Sequence, residues 1–198
     1  DSDFEHSSFW SKNQNLLLMF YLYLDDVSPE EKSRRFDALK HSLNGIWKFR
    51  LFDAPEDCGD FYSETADTAE YRDIPVPGNW QLYCFGSPIY TNYAYPWKPE
   101  GELAVDGEPP AWNIPKENPT GCYRLWFELP AEADGNDVLL RFDGVETAYE
   151  VYVNGTFAGY GEDSKLSGEF DITALVRPGK NLLAVRVFTY ATSSYLED

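Results

Sequence analysis

Basic residues, histidine and paired cysteines are all scarce in this sequence, and each shortage removes a class of function. Sixteen Lys and Arg stand against thirty-four Asp and Glu, giving a formal net charge of −18. A surface that acidic repels phosphate backbones and anionic lipid, which sets nucleic-acid and membrane partners aside and leaves a neutral ligand such as a sugar unpenalised. Only two His occur, His6 near the start and His41 just ahead of the first alternating segment. No His-based triad with a Ser or Cys nucleophile can be set on rigid elements from these positions, and GxSxG, the Walker loop and GxGxxG are missing. Cys58, Cys84 and Cys122 are an odd number without a CxxC pair, so neither a zinc site nor a disulfide framework is indicated and buried free thiols are expected. The longest apolar run, Leu16 to Leu24, falls far short of the roughly 20 residues that span a bilayer. It also lacks the flanks of a signal peptide, since only Lys12 precedes it and Asp25-Asp26 follow. The first residue is Asp rather than Met, so a processed or trimmed chain is expected.

What is abundant is aromatic. Phe, Trp and Tyr make up 17% of the chain, the composition of a β-rich protein with large flat side chains to pack or expose. From Leu43 onward polarity alternates with a period of two: Trp47, Phe49 and Leu51 against Lys48 and Arg50; Tyr123, Leu125, Phe127 and Leu129 against Arg124 and Glu128. Tyr149, Val151 and Val153 alternate with Glu150 and Tyr152, and Leu183, Val185 and Val187 with Ala184 and Arg186, while residues 138–142 form a short apolar strand. Asn154-Gly155 marks a type I′ hairpin, because that turn needs two positive φ angles, and residues 177–181 form a second turn. Six or more short strands without intervening helical periodicity predict an all-β, jelly-roll-like antiparallel β-sandwich and exclude a parallel α/β sheet. Trp47, Phe49, Leu125, Phe127, Val151, Val153, Val185 and Val187 should point inward.

Residues 1–40 read differently, as an arm in which Ser28-Pro29-Glu30-Glu31 opens one short helix, Ser28 as N-cap and Pro29 at N1. Residues 41–198 are expected to be the sandwich domain. Between Ile74 and Thr120 the alternation lapses into a long stretch rich in Pro, Gly, Asn and aromatics, and loops of this length are usually functional or dock onto something, the alternative being a surface excursion that covers the sandwich edge. Tyr83, Phe85, Tyr90, Tyr93, Tyr95 and Trp97 could stack on sugar rings or staple the loop to the sandwich; residue type alone favours the staple. Asn154-Gly155-Thr156 fits a glycosylation acceptor, but the hairpin already accounts for it. Acidic residues are too numerous for any pair to be singled out as a glycosidase dyad.

Seven segments, taken in order, carry a resemblance: SLNGIWKF at 42–49, VPGNWQ at 76–81, PIYTN at 88–92 with Tyr95-Pro96, ENPTGCY at 117–123, FDGV at 142–145, GYGEDS at 159–164 and SYLED at 194–198. Over about residues 41–198 the chain resembles the sugar-binding, jelly-roll domain (a galactose-binding-domain-like fold) that opens the family 2 glycoside hydrolases, and among them the large bacterial β-galactosidases. The resemblance implies a multidomain retaining enzyme whose two catalytic glutamates lie in a (β/α)₈ barrel, with magnesium and sodium nearby. It therefore implies no catalytic residue, metal ligand or cofactor within these 198 residues. The partners it implies are the barrel and other domains of the parent chain, a galactoside substrate and a possible second copy of the parent, in a bacterial cytoplasm or periplasm.

One residue inherits a role. The Asn of the YTN segment, Asn92, matches a family side chain that reaches into the galactose pocket. The family's second contributor is an aspartate two residues beyond the Glu-Asp at 197–198, so Asp198 does not take its place. The arm lacks the family's usual Asp-Trp-Glu-Asn-Pro opening and Pro-x-His segment, leaving its assembly role without support. A stand-alone carbohydrate-binding module, a purely structural sandwich, and the first domain of a family 2 β-glucuronidase or β-mannosidase are the competing readings.

Overall fold

A computed structural model describes residues 16–21, 40–87, 114–133, 135–163 and 166–191. Among them ten strands pair antiparallel throughout, in two sheets. The larger sheet holds β3 (Gly45–Phe52), β4 (Arg72–Val76), β5 (Thr120–Leu129), β7 (Ala148–Val153), β8 (Thr156–Glu162) and β10 (Gly179–Phe188), in the order β4-β3-β5-β10-β7-β8. The smaller holds β1 (Leu16–Tyr21), β2 (Lys40–Ser42), β6 (Asp137–Phe142) and β9 (Gly168–Asp171), in the order β2-β1-β6-β9. No helix among the described residues is long and apolar enough to cross a membrane.

The alternating residues do what their period demands. Trp47, Phe49, Phe127, Val151, Val153, Val185 and Val187 are buried in one cluster, and Leu125 packs against it. Leu140 of the opposite sheet and Ile172 just after β9 close the same core, and each fully buried side chain of this size contributes about 1.5–3 kcal/mol. The β7–β8 hairpin turns at Asn154 (φ 51°) and Gly155 (φ 84°), both in the left-handed region. The Asn154 side chain is fully committed: Nδ2 donates to the Leu175 carbonyl at 2.9 Å and to Asn181 Oδ1 at 2.8 Å, while Oδ1 accepts from Leu182 N at 2.9 Å. The Asn-Gly-Thr triplet is thus a structural turn whose amide nitrogen is already spoken for.

Three features depart from the sequence pattern. Part of the first forty residues, read as an arm, is strand β1, paired on one side with β2 and on the other with β6. His41, placed ahead of the first strand by its polarity, lies within β2. The helix expected at Ser28 lies outside the described residues.

The third departure is a second layer. Residues 53–71 cross the outer face of the large sheet, where Cys58, Phe61 and Tyr71 bury against Cys122 of β5 and Ala184 of β10. Arg124, whose charge reads as a solvent-facing position, is only 4% exposed. Its guanidinium donates to the Phe61 carbonyl and, at 2.9 Å, to that of Ser63. This strap is fastened further by stacking of Tyr62 on Tyr152, with centroids 4.6 Å apart, and by two hydrogen bonds from Arg177 to Glu64 at 2.9 and 2.7 Å.

Candidate functional site

Strand register brings the FDGV, GYGEDS and ENPTG segments to one end of the sandwich, while SLNGIWKF and VPGNWQ meet at the other, where Gly45 pairs with Val76. Phe52, Thr120, Phe188, Ala148 and Glu162 form a continuous row across the large sheet. Leu16, Phe142 and Gly168 form the corresponding row in the small one. The two rows meet because the Tyr149 ring lies 5.0 Å from that of Phe142 and its hydroxyl presses on Gly168, where a Cβ would come within 2.0 Å. The connections that leave β6, β8 and β10 and the one that enters β5 therefore emerge side by side. These are the connections that carry FDGV, GYGEDS, the approach to SYLED, and ENPTG.

Each is fixed by a specific contact. Asn118, 4% exposed, donates from Nδ2 to the Tyr190 carbonyl at 2.9 Å and accepts from Tyr190 N at 2.9 Å. Thr189 Oγ1 donates to the Pro119 carbonyl at 2.6 Å, and Thr147 Oγ1 donates to the Thr189 carbonyl at 3.1 Å. In VPGNW, Trp80 lies over the TGCY strand so closely that a Cβ at Gly121 would sit 2.4 Å from its Cζ3. In GYGEDS, Gly161 admits the Tyr149 ring, which a Cβ would meet at 2.4 Å. Asp163 follows at φ 110°, a region that side-chain-bearing residues enter at a cost of about 1–3 kcal/mol. In FDGV, Asp143 accepts from Arg141 Nε at 2.8 Å while Arg141 also reaches Glu169 at 3.0 Å. Burial pushes the Tyr149 phenol up to about 12.

Asn92, the one predicted substrate-binding residue, lies outside the described residues, as do Tyr90, Tyr93, Tyr95, Trp97, His6 and Asp198. Of the aromatic set, Phe85 packs edge-on against Phe49 at 4.8 Å, which is a staple, and Tyr83 is 39% exposed. Cys58 and Cys122 are buried free thiols as expected, whereas Cys84 is exposed. Sequence reasoning missed Asn118, Thr147 and Thr189, since a polar residue in a loop carries no mark of the distant backbone it will bond. Their position beside or within the quoted segments was the available signal.

The model of "Glycosyl hydrolases family 2, sugar binding domain" matches residues 40–198. A β-galactosidase of Vibrio vulnificus (strain YJ016) is 46% identical over 162 residues, 81% of this chain and 15% of that protein. A β-galactosidase of Enterobacter cloacae is 42% identical over 171 residues, 86% of this chain and 16% of that protein. The chain thus spans about one-sixth of the length of these relatives. Among solved structures, Bacteroides uniformis β-glucuronidase superposes with a TM-score of 0.53 at 20% identity, covering 77% of this chain and 15% of that one. Bifidobacterium dentium β-glucuronidase does so with 0.51 at 21%, covering 93% and 22%. At such identities the structures speak for the fold, an antiparallel sandwich. The chain therefore belongs to the family 2 glycosyl hydrolases, and residues 40–198 are a sugar-binding domain of that family.

Proposed function

We propose that this chain is the non-catalytic first domain of a β-galactosidase, completing the galactose pocket with Asn92 and supporting domain and subunit packing, in a parent enzyme that hydrolyses terminal β-galactosides. The observation that carries the reading is 46% identity over 162 residues to a protein of that name. Convergence of FDGV, GYGEDS and ENPTG at one end of the sandwich is in keeping with it, because that end can face a neighbouring domain with several loops at once. A retaining mechanism needs two carboxyls roughly 5 Å apart; we assign both to a barrel elsewhere in the parent chain. Magnesium and sodium are likewise proposed for the parent. Among the described residues no three His, Cys, Asp or Glu side chains gather in a group that could hold an ion.

The test is kinetic. An amide offers donors and an acceptor to one sugar hydroxyl, and a pocket group left unpaired costs about 1–3 kcal/mol. Asn92→Ala in the full-length parent should lower kcat/KM for a β-galactoside about ten- to a hundredfold while leaving the Tm of this chain in place. A variant that melts the chain and keeps full-length kinetics would make Asn92 a loop residue held by its own backbone bonds.

A further inference from the structure

We propose that Cys58 and Cys122 form an oxidation-sensitive dithiol whose disulfide latches the strap of residues 53–71 onto the large sheet. Cys58 ends the short 3-10 turn Pro55–Cys58, and Cys122 lies near the start of β5, the strand against which that turn packs. Both are buried, 5% and 0% exposed, in one small cluster with Phe61, Tyr71 and Ala184. The two thiols share that cluster, in which the Cys58 thiol also points at the Ala54 carbonyl at 3.9 Å. Two elements far apart in sequence thus bring two thiols into one buried cluster, in a layer separate from the main core and on the outer face of the large sheet.

The surroundings divide the roles. The Cys122 thiol beside it lowers the pKa of Cys58, and the nearby Arg186 guanidinium adds to this against the opposing effect of burial. Arg186 is held in place by Glu150, through its Nε at 3.0 Å, and by the Pro55 carbonyl at 3.2 Å. Burial raises Cys122, and so does the neighbouring Cys58. Cys58 is therefore the sulfur whose surroundings favour the thiolate, with Arg186 bonded to the same turn, and thiolate character is what makes a cysteine reactive. Cys122 keeps its proton beside it.

With a peroxide as oxidant the chemistry balances. The Cys58 thiolate attacks one peroxide oxygen, the O–O bond breaks, hydroxide leaves, and Cys58 becomes a sulfenic acid. The Cys122 sulfur then attacks the Cys58 sulfur; the S–O bond breaks, the S–S bond forms, and the Cys122 proton leaves with the hydroxide as water. Two electrons pass from the dithiol to the peroxide. The ring so closed contains the whole proline-rich stretch from VPGNW to ENPTG.

The experiment uses this chain with Cys84→Ser, which removes the exposed thiol, treated with hydrogen peroxide, alkylated and digested with trypsin. We expect a peptide pair joining residues 51–72 to residues 117–124, lost on reduction, and a Tm about 5–10 °C higher than that of the reduced form. In Cys122→Ser on the same background, a dimedone adduct should accumulate on Cys58, because nothing resolves the sulfenic acid. The proposal is overturned if both thiols remain alkylatable after peroxide, if Cys58 proceeds to sulfinic acid without the linked peptide, or if the linked form melts no higher than the reduced one.

Discussion

Asn118 and Tyr190 are 72 positions apart yet bonded twice, the amide of one mirroring the backbone donor and acceptor of the other at 2.9 Å each way. An amide side chain here extends the ladder that β5 and β10 have just ended, and so fixes the directions in which two loops leave the sheet. Asn118→Ala leaves the Tyr190 N–H and carbonyl without these partners in a site that is 4% exposed at Asn118. We expect a loss of about 2–4 kcal/mol, at the cost of buried unsatisfied groups, read from urea unfolding of this chain. A loss below about half a kcal/mol would show that water replaces the amide.

Gly121 and Trp80 define a second dependence. A methyl at 121 would stand 2.4 Å from the indole and 2.8 Å from Phe49 Cε2. Gly121→Ala should destabilise by about 1–3 kcal/mol or more, the cost of overpacking a filled core. Combined with Trp80→Leu, the two losses should add to less than their sum, since the smaller side chain yields the space. Full additivity would mean that the strand backbone, rather than the indole, absorbs the methyl.

Alkaline stability follows from buried phenols, with Tyr71 and Tyr149 among six described tyrosines that burial raises. Burial pushes Tyr71 and Tyr149 up to about 12, against an ordinary value near 10. A raised folded value means that the neutral phenol is favoured by the native state. That stabilisation is complete below about pH 10, shrinks as pH climbs from about 10 towards 12, and is gone above it. Melting scans should show Tm constant between pH 7 and about 9 and falling steeply beyond about 10. Tyr149→Phe keeps the ring that Gly161 and Gly168 admit and removes one titrating group, so its alkaline decline should be shallower. An identical decline would assign the loss to other residues.

Calorimetry separates the pocket-completing reading from that of an independent module. Titrated with galactose or lactose, this chain should give no detectable heat up to millimolar sugar, because one pocket side chain cannot offset the cost of immobilising a ligand. Millimolar or tighter binding would instead favour a self-sufficient carbohydrate-binding module. The purified chain should also fail to turn over a chromogenic β-galactoside.

Much of the sandwich was legible because half-buried strands write their burial into the sequence. β3, β5, β7 and β10 alternate, and Asn154-Gly155 announces its turn. β1 was hidden for the opposite reason: LLLMFY is apolar at every position, which leaves no period to read. The strap was hidden by chemistry, since Arg124 looks like a solvated side chain until two backbone carbonyls from residues 61 and 63 arrive to receive it. Only the small Cys122 and Ala184 on the same face hinted at a covering layer. The candidate end was readable as a set of segments but not as a place, because the row from Phe52 to Glu162 exists only once distant strands are paired.

The position of β10 bears on how the chain is born. It is the last described strand in sequence, yet it lies between β5 and β7. Until residue 188 has left the ribosome, both of those strands present open edges, and unpaired edges recruit other chains. The large sheet thus consists of two parts, β4-β3-β5 and β7-β8, that can pair within themselves but are joined to each other through β10 alone.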